Sequence, residues 1–188
     1  MTTEPIRDVN KLKALAEYWL ERGNYRNNAL IVVGVCTALR IGDLLKLKWE
    51  DVYDESAKTF HSHITLTEQK TKKRKVIALN EQAVQALLRL LPHRRGKYIF
   101  SNNRKNANAI SRTQAWRIIK KAVEAIKLIG VIACHSLRKT MGYLAWKAGT
   151  LPVLLMDIFN HASFEITRRY LGISQDDRDG VYMGLAVF

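Results

Sequence analysis

The sequence predicts an α+β fold that is mostly α-helical and contains one small antiparallel three-stranded sheet. Apolar residues recur at helical spacing along most of the 188 residues, whereas residues 51–79 change character and Thr59–Thr67 is rich in strand-forming Thr, Ile and Phe. The chain has only 3 Pro and 10 Gly, which argues against a linker-rich protein. Its length and 47% apolar content predict a single domain over residues 1–188 with a substantial core.

The helices are predicted from their apolar spacing and from the residues at their ends. After an unstructured lead-in over residues 1–7, Asp8 caps a helix that continues to about Arg22, and Gly23 ends it. A second helix, over 26–39, is apolar nearly all round and is expected in the core. The remaining helices are predicted at 41–47, 81–91, 111–128, 135–148, 152–159, 164–171 and 181–188.

The sheet is predicted from three short segments. Thr59–Thr67 roughly alternates apolar and polar residues, Lys75–Leu79 is a second strand-like run, and Val52–Tyr53 is a third. The polar stretch Glu68–Arg74 joins the first two. These segments predict a hairpin that carries several lysines.

Positive charge is concentrated in the middle of the chain. The sequence has 31 Lys and Arg against 17 Asp and Glu, and residues 61–130 alone hold 16 basic and 3 acidic side chains. Such a field attracts a polyanion, and no amphipathic helix with a large apolar face coincides with it, so nucleic acid is favoured over a membrane. The alternative is a solvated basic face without a partner. The cations expected to contact DNA are Lys72, Lys73, Arg74, Lys75, Arg104, Lys105 and Arg112.

Several other classes of protein are disfavoured. No apolar run reaches the roughly 18 to 20 residues of a membrane span, and no secretory leader opens the chain, so we expect an intracellular protein. Cys36 and Cys134 form no CxxC pair, and no histidine has zinc-ligand spacing to them. The nucleotide-binding loops and the GxSxG elbow are absent from the sequence, and carboxylates are too scarce in the basic region for two-metal chemistry.

Two helical clusters hold candidate reactive groups. Arg40 lies where the core helix meets a short one, with Asp43 three residues later; taken alone, such an arginine more often satisfies helix carbonyls. His135 and Arg138 are three residues apart, so they project from one helix face and suit a phosphate. The HxxR pattern is common, and a partly buried histidine beside a surface arginine is the alternative.

Two further clusters complete the set. His161 precedes Tyr170 by nine residues, so the two meet only if the chain bends, and Ser163 can cap a new helix there. A tyrosine usually serves packing, but positive charge can make its phenol a nucleophile. The hairpin lysines beginning at Lys70 favour phosphate contact, and one of them can act as a general acid.

In this order, the clusters resemble the tyrosine recombinase (phage integrase) family. Residues 37–52 (TALRIGDLLKLKWEDV) resemble its first box, residues 135–140 (HSLRKT) its second, and His161 with Ala162, Ser163, Thr167 and Tyr170 its third. The resemblance covers the catalytic domain from about residue 26 to 170. It implies that the candidate catalytic residues are Arg40, Lys70, His135, Arg138, His161 and Tyr170.

The family resemblance also implies a mechanism. Tyr170 attacks a DNA phosphate to form a 3′-phosphotyrosyl bond, Arg40 and Arg138 clamp the phosphate, and the two histidines assist. Lys70, with Lys72 or Lys73 as the alternative, protonates the leaving 5′-oxygen. No cofactor, metal or ATP is required. The expected partners are double-stranded DNA and, in a homotetramer, a neighbouring subunit; the expected location is the cytoplasm of a bacterium, at the nucleoid.

The sequence departs from the family pattern in two places. Phe159-Asn160 precedes His161 where the family more often has Leu-Gly, which we expect to alter the turn and not the chemistry. Members usually carry an N-terminal helical domain, for which the roughly 25 residues before the core helix are too few. Compact members such as fimbrial-switch invertases lack that domain, so the chain is either complete or a fragment.

The C-terminal tail, residues 174–188, and the overall activity each leave alternatives. The tail has an apolar stripe of Val181, Leu185 and Phe188, which either folds back on its own core or, as in family members, docks on a neighbouring subunit. The favoured activity is site-specific recombination. The alternatives are a non-catalytic DNA-binding protein of the same fold and a type IB topoisomerase-like enzyme, while RNA binding is disfavoured because the basic segment lacks an aromatic stacking motif.

Overall fold

The computed structural model describes residues 2–173 and 175–185 and is mostly helical, as predicted. The helices are α1 (Val9–Leu20), α2 (Tyr25–Thr37), α3 (Ile41–Leu44), α4 (Glu81–Leu90), α5 (Arg112–Ala125), α6 (Cys134–Lys147), α7 (Pro152–Phe159), α8 (Phe164–Leu171) and α9 (Gln175–Met183). Short 3-10 turns follow at Trp49–Asp51 and Leu91–His93. In the described part of the chain, no helix has the length and apolar character needed to cross a membrane.

The N-terminal caps predicted at Asp8 and Ser163 are both present. The carboxylate of Asp8 accepts from the backbone N–H of Asn10 at 2.7 Å, which begins α1. Ser111 and Gln114 form a reciprocal capping box at the start of α5. The predicted bounds of α7 and α8 are those observed. The last helix differs from the predicted 181–188, because α9 begins at Gln175 and ends at Met183, and residues 186–188 of that prediction lie outside the described residues.

Residues 2–7 have no regular secondary structure, but specific contacts hold them in place, contrary to the predicted unstructured lead-in. Ile6 is only 2% exposed, and its N–H donates to Thr140 Oγ1 at 2.8 Å. The ammonium of Lys139 donates to the Thr3 carbonyl at 2.7 Å. The apolar side chain of Ile6 and these two bonds hold the segment against α6.

The single three-stranded sheet is also corrected, because the structure has two separate two-stranded antiparallel sheets. The strands are β1 (Tyr53–Asp54), β2 (Thr59–Phe60), β3 (His63–Thr67) and β4 (Arg74–Ala78). β1 pairs with β2, and β3 pairs with β4. The predicted strand 59–67 is divided at residues 61 and 62, where its pairing changes from β1 to β4.

The chain forms two compact units, residues 1–141 and residues 142–188. In the first unit, one apolar cluster surrounds α2, α4 and the hairpin, with Leu30, Leu87 and Phe100 fully buried. A second cluster joins α1, α2 and α5 to Leu137 of α6. In the second unit, Leu155 and Phe159 of α7 and Leu171 of α8 are fully buried.

Candidate active site

The six candidate catalytic residues fall into two sets, one in each unit. Arg40, Lys70, His135 and Arg138 belong to residues 1–141, and His161 and Tyr170 belong to residues 142–188. The geometry within each set follows from local backbone features.

Arg40 is held in a tight reversal between α2 and α3. Ala38 adopts a left-handed conformation with φ of 49°, which ends α2 two residues before the predicted end at Leu39. Arg40 is extended, and its carbonyl accepts from the N–H groups of Asp43 and Leu44 at 2.9 Å. Its side chain is 24% exposed and is therefore partly buried.

Arg138 is brought to the same reversal by close packing of α6 on α2. A Cβ added at Gly34 would lie 2.8 Å from Leu137 Cδ1, so a larger residue there would displace the Leu137 side chain. The next residue, Arg138, is 2% exposed, and its Nη1 donates to the Ala38 carbonyl. The structure thus brings Arg138 beside the turn that holds Arg40.

His135 lies one turn before Arg138, on the same face of α6. It is exposed, while Ser136 beside it is fully buried and its Oγ accepts from the N–H of Ala133 at 3.1 Å. The side-chain bond of Ser136 fixes the first turn of α6, and the helical spacing puts His135 and Arg138 on one face of that helix, the first exposed and the second buried.

The loop that joins β3 to β4 contacts the Arg40 turn directly. Arg40 Nη1 lies 2.6 Å from Glu68 Oε1. The N–H of Gln69 donates to Asp43 Oδ1 at 3.0 Å, and its Nε2 donates to the Gly42 carbonyl at 2.6 Å. Lys70, the next residue, is exposed and therefore begins from a fixed point beside Arg40.

Glu68 is a buried carboxylate with two opposing influences on its pKa. Burial acts to raise the pKa of Glu68, but the hydrogen bond from Thr71 and the Arg40 guanidinium together outweigh it and hold that pKa below its usual value. The Thr71 hydroxyl donates to Glu68 Oε2 at 2.6 Å. Glu68 is therefore ionised at neutral pH.

The predicted DNA-contacting cations are distributed unevenly. Lys72, Lys73 and Arg74 are exposed on the hairpin, and Lys75 is partly buried opposite Leu66. Arg112, at the start of α5, lies against the Arg40 turn, because a Cβ added at Gly42 would meet its Nη2 at 2.5 Å. Arg104 and Lys105 are exposed in the loop between Ser101 and Ala109. The Ser101 carbonyl at the start of this loop accepts from Arg26 Nη1 at 2.8 Å.

In the second unit, a bend places His161 beside Tyr170. Asn160 ends α7 in a left-handed conformation with φ of 53°, and Ser163 caps α8 through its side chain. Asparagine tolerates this conformation better than most residues, so the replacement of the family's glycine is accommodated in the turn. This is the bend that the nine-residue spacing requires.

The rings of this set are packed together. The centroids of His161 and Tyr170 are 4.9 Å apart in an edge-on arrangement, and Phe159 lies 4.9 Å from Tyr170. His161 Nδ1 lies 3.0 Å from the Thr167 hydroxyl, which fixes the imidazole on α8. Of the two neighbouring arginines, Arg169 pairs with Glu165 at 2.7 Å, and Arg168 is exposed.

The sequence prediction missed the residues that hold these groups. No role for Glu68, Gln69 or Thr71 is predicted from the sequence. An acidic residue directly before a run of lysines is a signal that could have pointed to Glu68. Gly142 was also missed: a Cβ there would lie 2.5 Å from Phe159 Cζ and 2.7 Å from Leu171 Cδ2. Nothing in the local sequence distinguishes that glycine from an ordinary helical one.

The described residues offer no cluster of side chains that could bind a metal ion. Among residues 2–173 and 175–185, no group of three or more His, Cys, Asp or Glu side chains is arranged to hold a metal ion. The polar groups gathered in the two sets are guanidinium, imidazole, phenol, ammonium and carboxylate.

Comparison with known proteins identifies the family. Residues 6–176 match the model of the phage integrase family. The chain is 35% identical over 180 residues to the "Probable integrase/recombinase YoeC" of Bacillus subtilis (strain 168), covering 95% of this chain and 94% of that protein. It is 26% identical to "Tyrosine recombinase XerC" of Pelobacter propionicus (strain DSM 2379 / NBRC 103807 / OttBd1), covering 93% of this chain but only 57% of that protein.

A solved structure shares the fold. The crystal structure of XerA recombinase aligns with a TM-score of 0.77 at 22% identity and covers 97% of this chain and 66% of that chain. The chain thus spans nearly all of one relative and about half to two thirds of the other two proteins. The predicted family and fold class are confirmed, and this chain belongs to the phage integrase family.

Proposed function

We propose that this protein is a site-specific DNA recombinase, which cuts and rejoins strands through a 3′-phosphotyrosyl intermediate. The observation that carries the proposal is the pairing of candidate residues within each unit. Arg138 donates to the backbone beside Arg40, and His161 packs on Tyr170, although each pair is separated in the sequence. Membership of the phage integrase family supports the same activity.

The proposed cleavage step balances without an external energy source. The Tyr170 oxygen forms a bond to the scissile phosphorus as the bond from phosphorus to the 5′-oxygen breaks. His135 assists removal of the phenolic proton, and Lys70 gives a proton to the departing 5′-oxygen. A 5′-hydroxyl of another strand then attacks the phosphotyrosyl bond, which restores the phosphodiester and frees Tyr170.

The arginines supply the electrostatic part of the mechanism. Arg40 and Arg138 bind the non-bridging oxygens and stabilise the charge that develops in the transition state, while His161 donates a hydrogen bond to the phosphate. Burial strengthens the contribution of Arg138 because little water screens it. Cationic side chains thus do the work for which other enzymes use a metal.

Double-stranded DNA is the proposed partner, bound through the basic region. Lys72, Lys73, Arg74 and Lys75 on the hairpin and Arg112 beside Gly42 contact backbone phosphates near the cleavage point. Arg104 and Lys105 contact phosphates from their own loop. This role places the protein on the bacterial chromosome, so we propose a cytoplasmic, nucleoid-associated location.

We further propose a homotetramer in which the tail docks on a neighbouring subunit. Val181 is 70% exposed and Leu185 is 72% exposed, so this stripe leaves apolar surface available to a partner. Phe188, the third residue of the stripe, lies outside the described residues. Asp177 anchors α9 to its own unit through an ion pair with Lys147 at 3.1 Å.

The proposed activity is tested by covalent trapping. Incubation with a pool of randomised nicked duplexes, followed by denaturation and sequencing of attached DNA, reveals the recognition sequence. The wild type should then form an adduct, Tyr170→Phe should form none, and Tyr53→Phe should match the wild type. Equal trapping by Tyr170→Phe would contradict the proposal.

Two other outcomes identify the alternative functions. Salt-sensitive DNA binding with no adduct from the wild type would indicate a non-catalytic DNA-binding protein. An adduct accompanied by relaxation of supercoiled DNA, without strand exchange between two sites, would indicate a type IB topoisomerase-like enzyme. Strand exchange between two sites is the result that the proposal expects.

A further inference from the structure

The hairpin that carries Lys70 is attached to the Arg40 turn through the loop that joins its two strands. Three contacts connect two consecutive hairpin residues to the turn. Glu68 lies 2.6 Å from Arg40, and Gln69 bonds both to the Asp43 carboxylate at 3.0 Å and to the Gly42 carbonyl at 2.6 Å. We call this set of contacts the latch.

The latch residue Glu68 also closes the tip of the hairpin. Its N–H donates to the Lys73 carbonyl at 3.0 Å, and its carbonyl accepts from the N–H of Lys72 at 2.9 Å. The Thr71 hydroxyl bonds to its side chain. Lys70 therefore lies in a short loop that is closed by hydrogen bonds from Glu68 to residues 71–73.

The charge and burial of Glu68 are unusual for its surroundings. It is one of only 3 acidic residues among 61–130, and it is 2% exposed although the lysines beside it are exposed. A carboxylate that served only to moderate surface charge would lie in solvent. Burying it is costly unless it is paired, so its position indicates a specific role with Arg40.

We propose that Glu68 and Gln69 are positioning residues, which hold the general-acid Lys70 at a fixed distance from the phosphate-binding Arg40. This inference rests on the proposed recombinase function. An isolated two-stranded hairpin is marginally stable, and a general acid must lie within hydrogen-bond reach of the atom it protonates. The latch restricts the position of the loop that carries Lys70 before substrate binds.

A substrate with sulfur in place of the scissile 5′-bridging oxygen isolates the role of Lys70. A thiolate leaves without prior protonation because its conjugate acid is much stronger than an alcohol. A defect confined to the general acid is therefore rescued by sulfur, whereas a defect in the phosphate clamp or in folding is not. Lys70→Ala should be rescued, and Arg40→Ala should not.

The decisive variants are Gln69→Ala and Glu68→Gln. Each should form the adduct about 10- to 100-fold more slowly on all-oxygen DNA, as for a misplaced catalytic group, and recover to within about threefold of wild type on the sulfur substrate. Glu124→Gln, with the same charge change at an exposed α5 position, should match wild type on both. Circular dichroism melting checks folding, and Gln69→Ala carries the test if Glu68→Gln does not fold.

Two results would overturn the inference. If both variants cleave all-oxygen DNA at the wild-type rate, the latch does not position the lysine. If they are slow on both substrates, they serve the Arg40 clamp or the fold instead of Lys70. Absence of any adduct from the wild type would contradict the proposed function itself and is thus distinguishable from either result.

Discussion

Arg138 shows how a single residue can serve both packing and chemistry. It is 2% exposed and donates to the Ala38 carbonyl, so its guanidinium is oriented before substrate arrives. A planar guanidinium can contact the carbonyl and a phosphate at the same time through separate N–H groups. Its burial was not predicted, because the HxxR spacing indicates only a shared helix face.

Replacing Arg138 by lysine should therefore impair catalysis. Lysine keeps the charge but lacks the planar fork, so we expect the rate of adduct formation to fall about 100-fold or more. The rate is measured by quantifying adduct in single-turnover time courses. Arg89→Lys, an exposed substitution on α4, should match wild type, and an unchanged rate for Arg138→Lys would contradict its proposed role.

A residue that acts by positioning another side chain is hard to predict from the sequence. Arg40 and Tyr170 bear reactive groups and stand in recognisable boxes, whereas Glu68 acts by holding a neighbouring loop. Only the folded hairpin places Glu68 against Arg40, since 27 intervening residues separate them. Their contact is tertiary and leaves no periodic pattern in the sequence.

At the level of elements, α6 and α7 depend on glycine for close packing. Gly142 is buried in α6, and a Cβ there would overlap the Phe159 ring. Phe159 in turn contacts both His161 and Tyr170. The packing of one ring thus links a helix interior to the candidate nucleophile.

Gly142→Ala should consequently reduce activity even though alanine favours helix. The gain in helix propensity of about 1 kcal/mol is outweighed by displacement of Phe159, since overpacking typically costs about 1–3 kcal/mol. We expect at least a tenfold slower adduct formation and a lower melting temperature. Gly180→Ala in α9, where an added Cβ would meet no atom within 4 Å, should leave adduct formation unchanged and should not lower the melting temperature.

The hairpin lysines should differ in function, some in DNA binding and one in cleavage. Lys72→Ala and Lys73→Ala should weaken DNA binding uniformly across sequences and lower the salt slope of log K by about 0.9 each, with adduct formation at saturating DNA retained. Lys70→Ala should abolish cleavage with little effect on binding. Fluorescence anisotropy from low to moderate salt checks the first expectation, and loss of cleavage in Lys72→Ala or Lys73→Ala would reassign the general acid.

The strands were predicted less well than the helices, for a local reason. Alternation along residues 59–67 indicates an extended chain but not its partner. The His61 N–H bonds to Val52 while the Ser62 carbonyl accepts from Leu79, so pairing changes between adjacent residues. Helix bounds depend on nearby caps such as Asp8 and Ser163, which the sequence displays directly.

For the whole molecule, the proposed docking of the tail on a neighbouring subunit would couple cleavage to assembly. Leu185→Glu should disrupt docking on a neighbouring subunit, because it places a charge in an apolar contact. We expect single-site adduct formation to persist while two-site synaptic complexes, measured by native gel and analytical ultracentrifugation, are lost. Leu88→Glu on α4 should have no effect, and intact complexes for Leu185→Glu would exclude a docking role for that residue.

The proposed recombinase function depends on the attack of Tyr170 on a DNA phosphate that groups from distant parts of the sequence hold. The most direct measurement is mass spectrometry of the trapped adduct after protease and nuclease digestion. We predict a nucleotide joined through its 3′-phosphate to the peptide that contains Tyr170, together with a free 5′-hydroxyl on the released strand. A nucleotide on any other residue, or attachment through a 5′-phosphate, would contradict the proposed 3′-phosphotyrosyl bond to Tyr170.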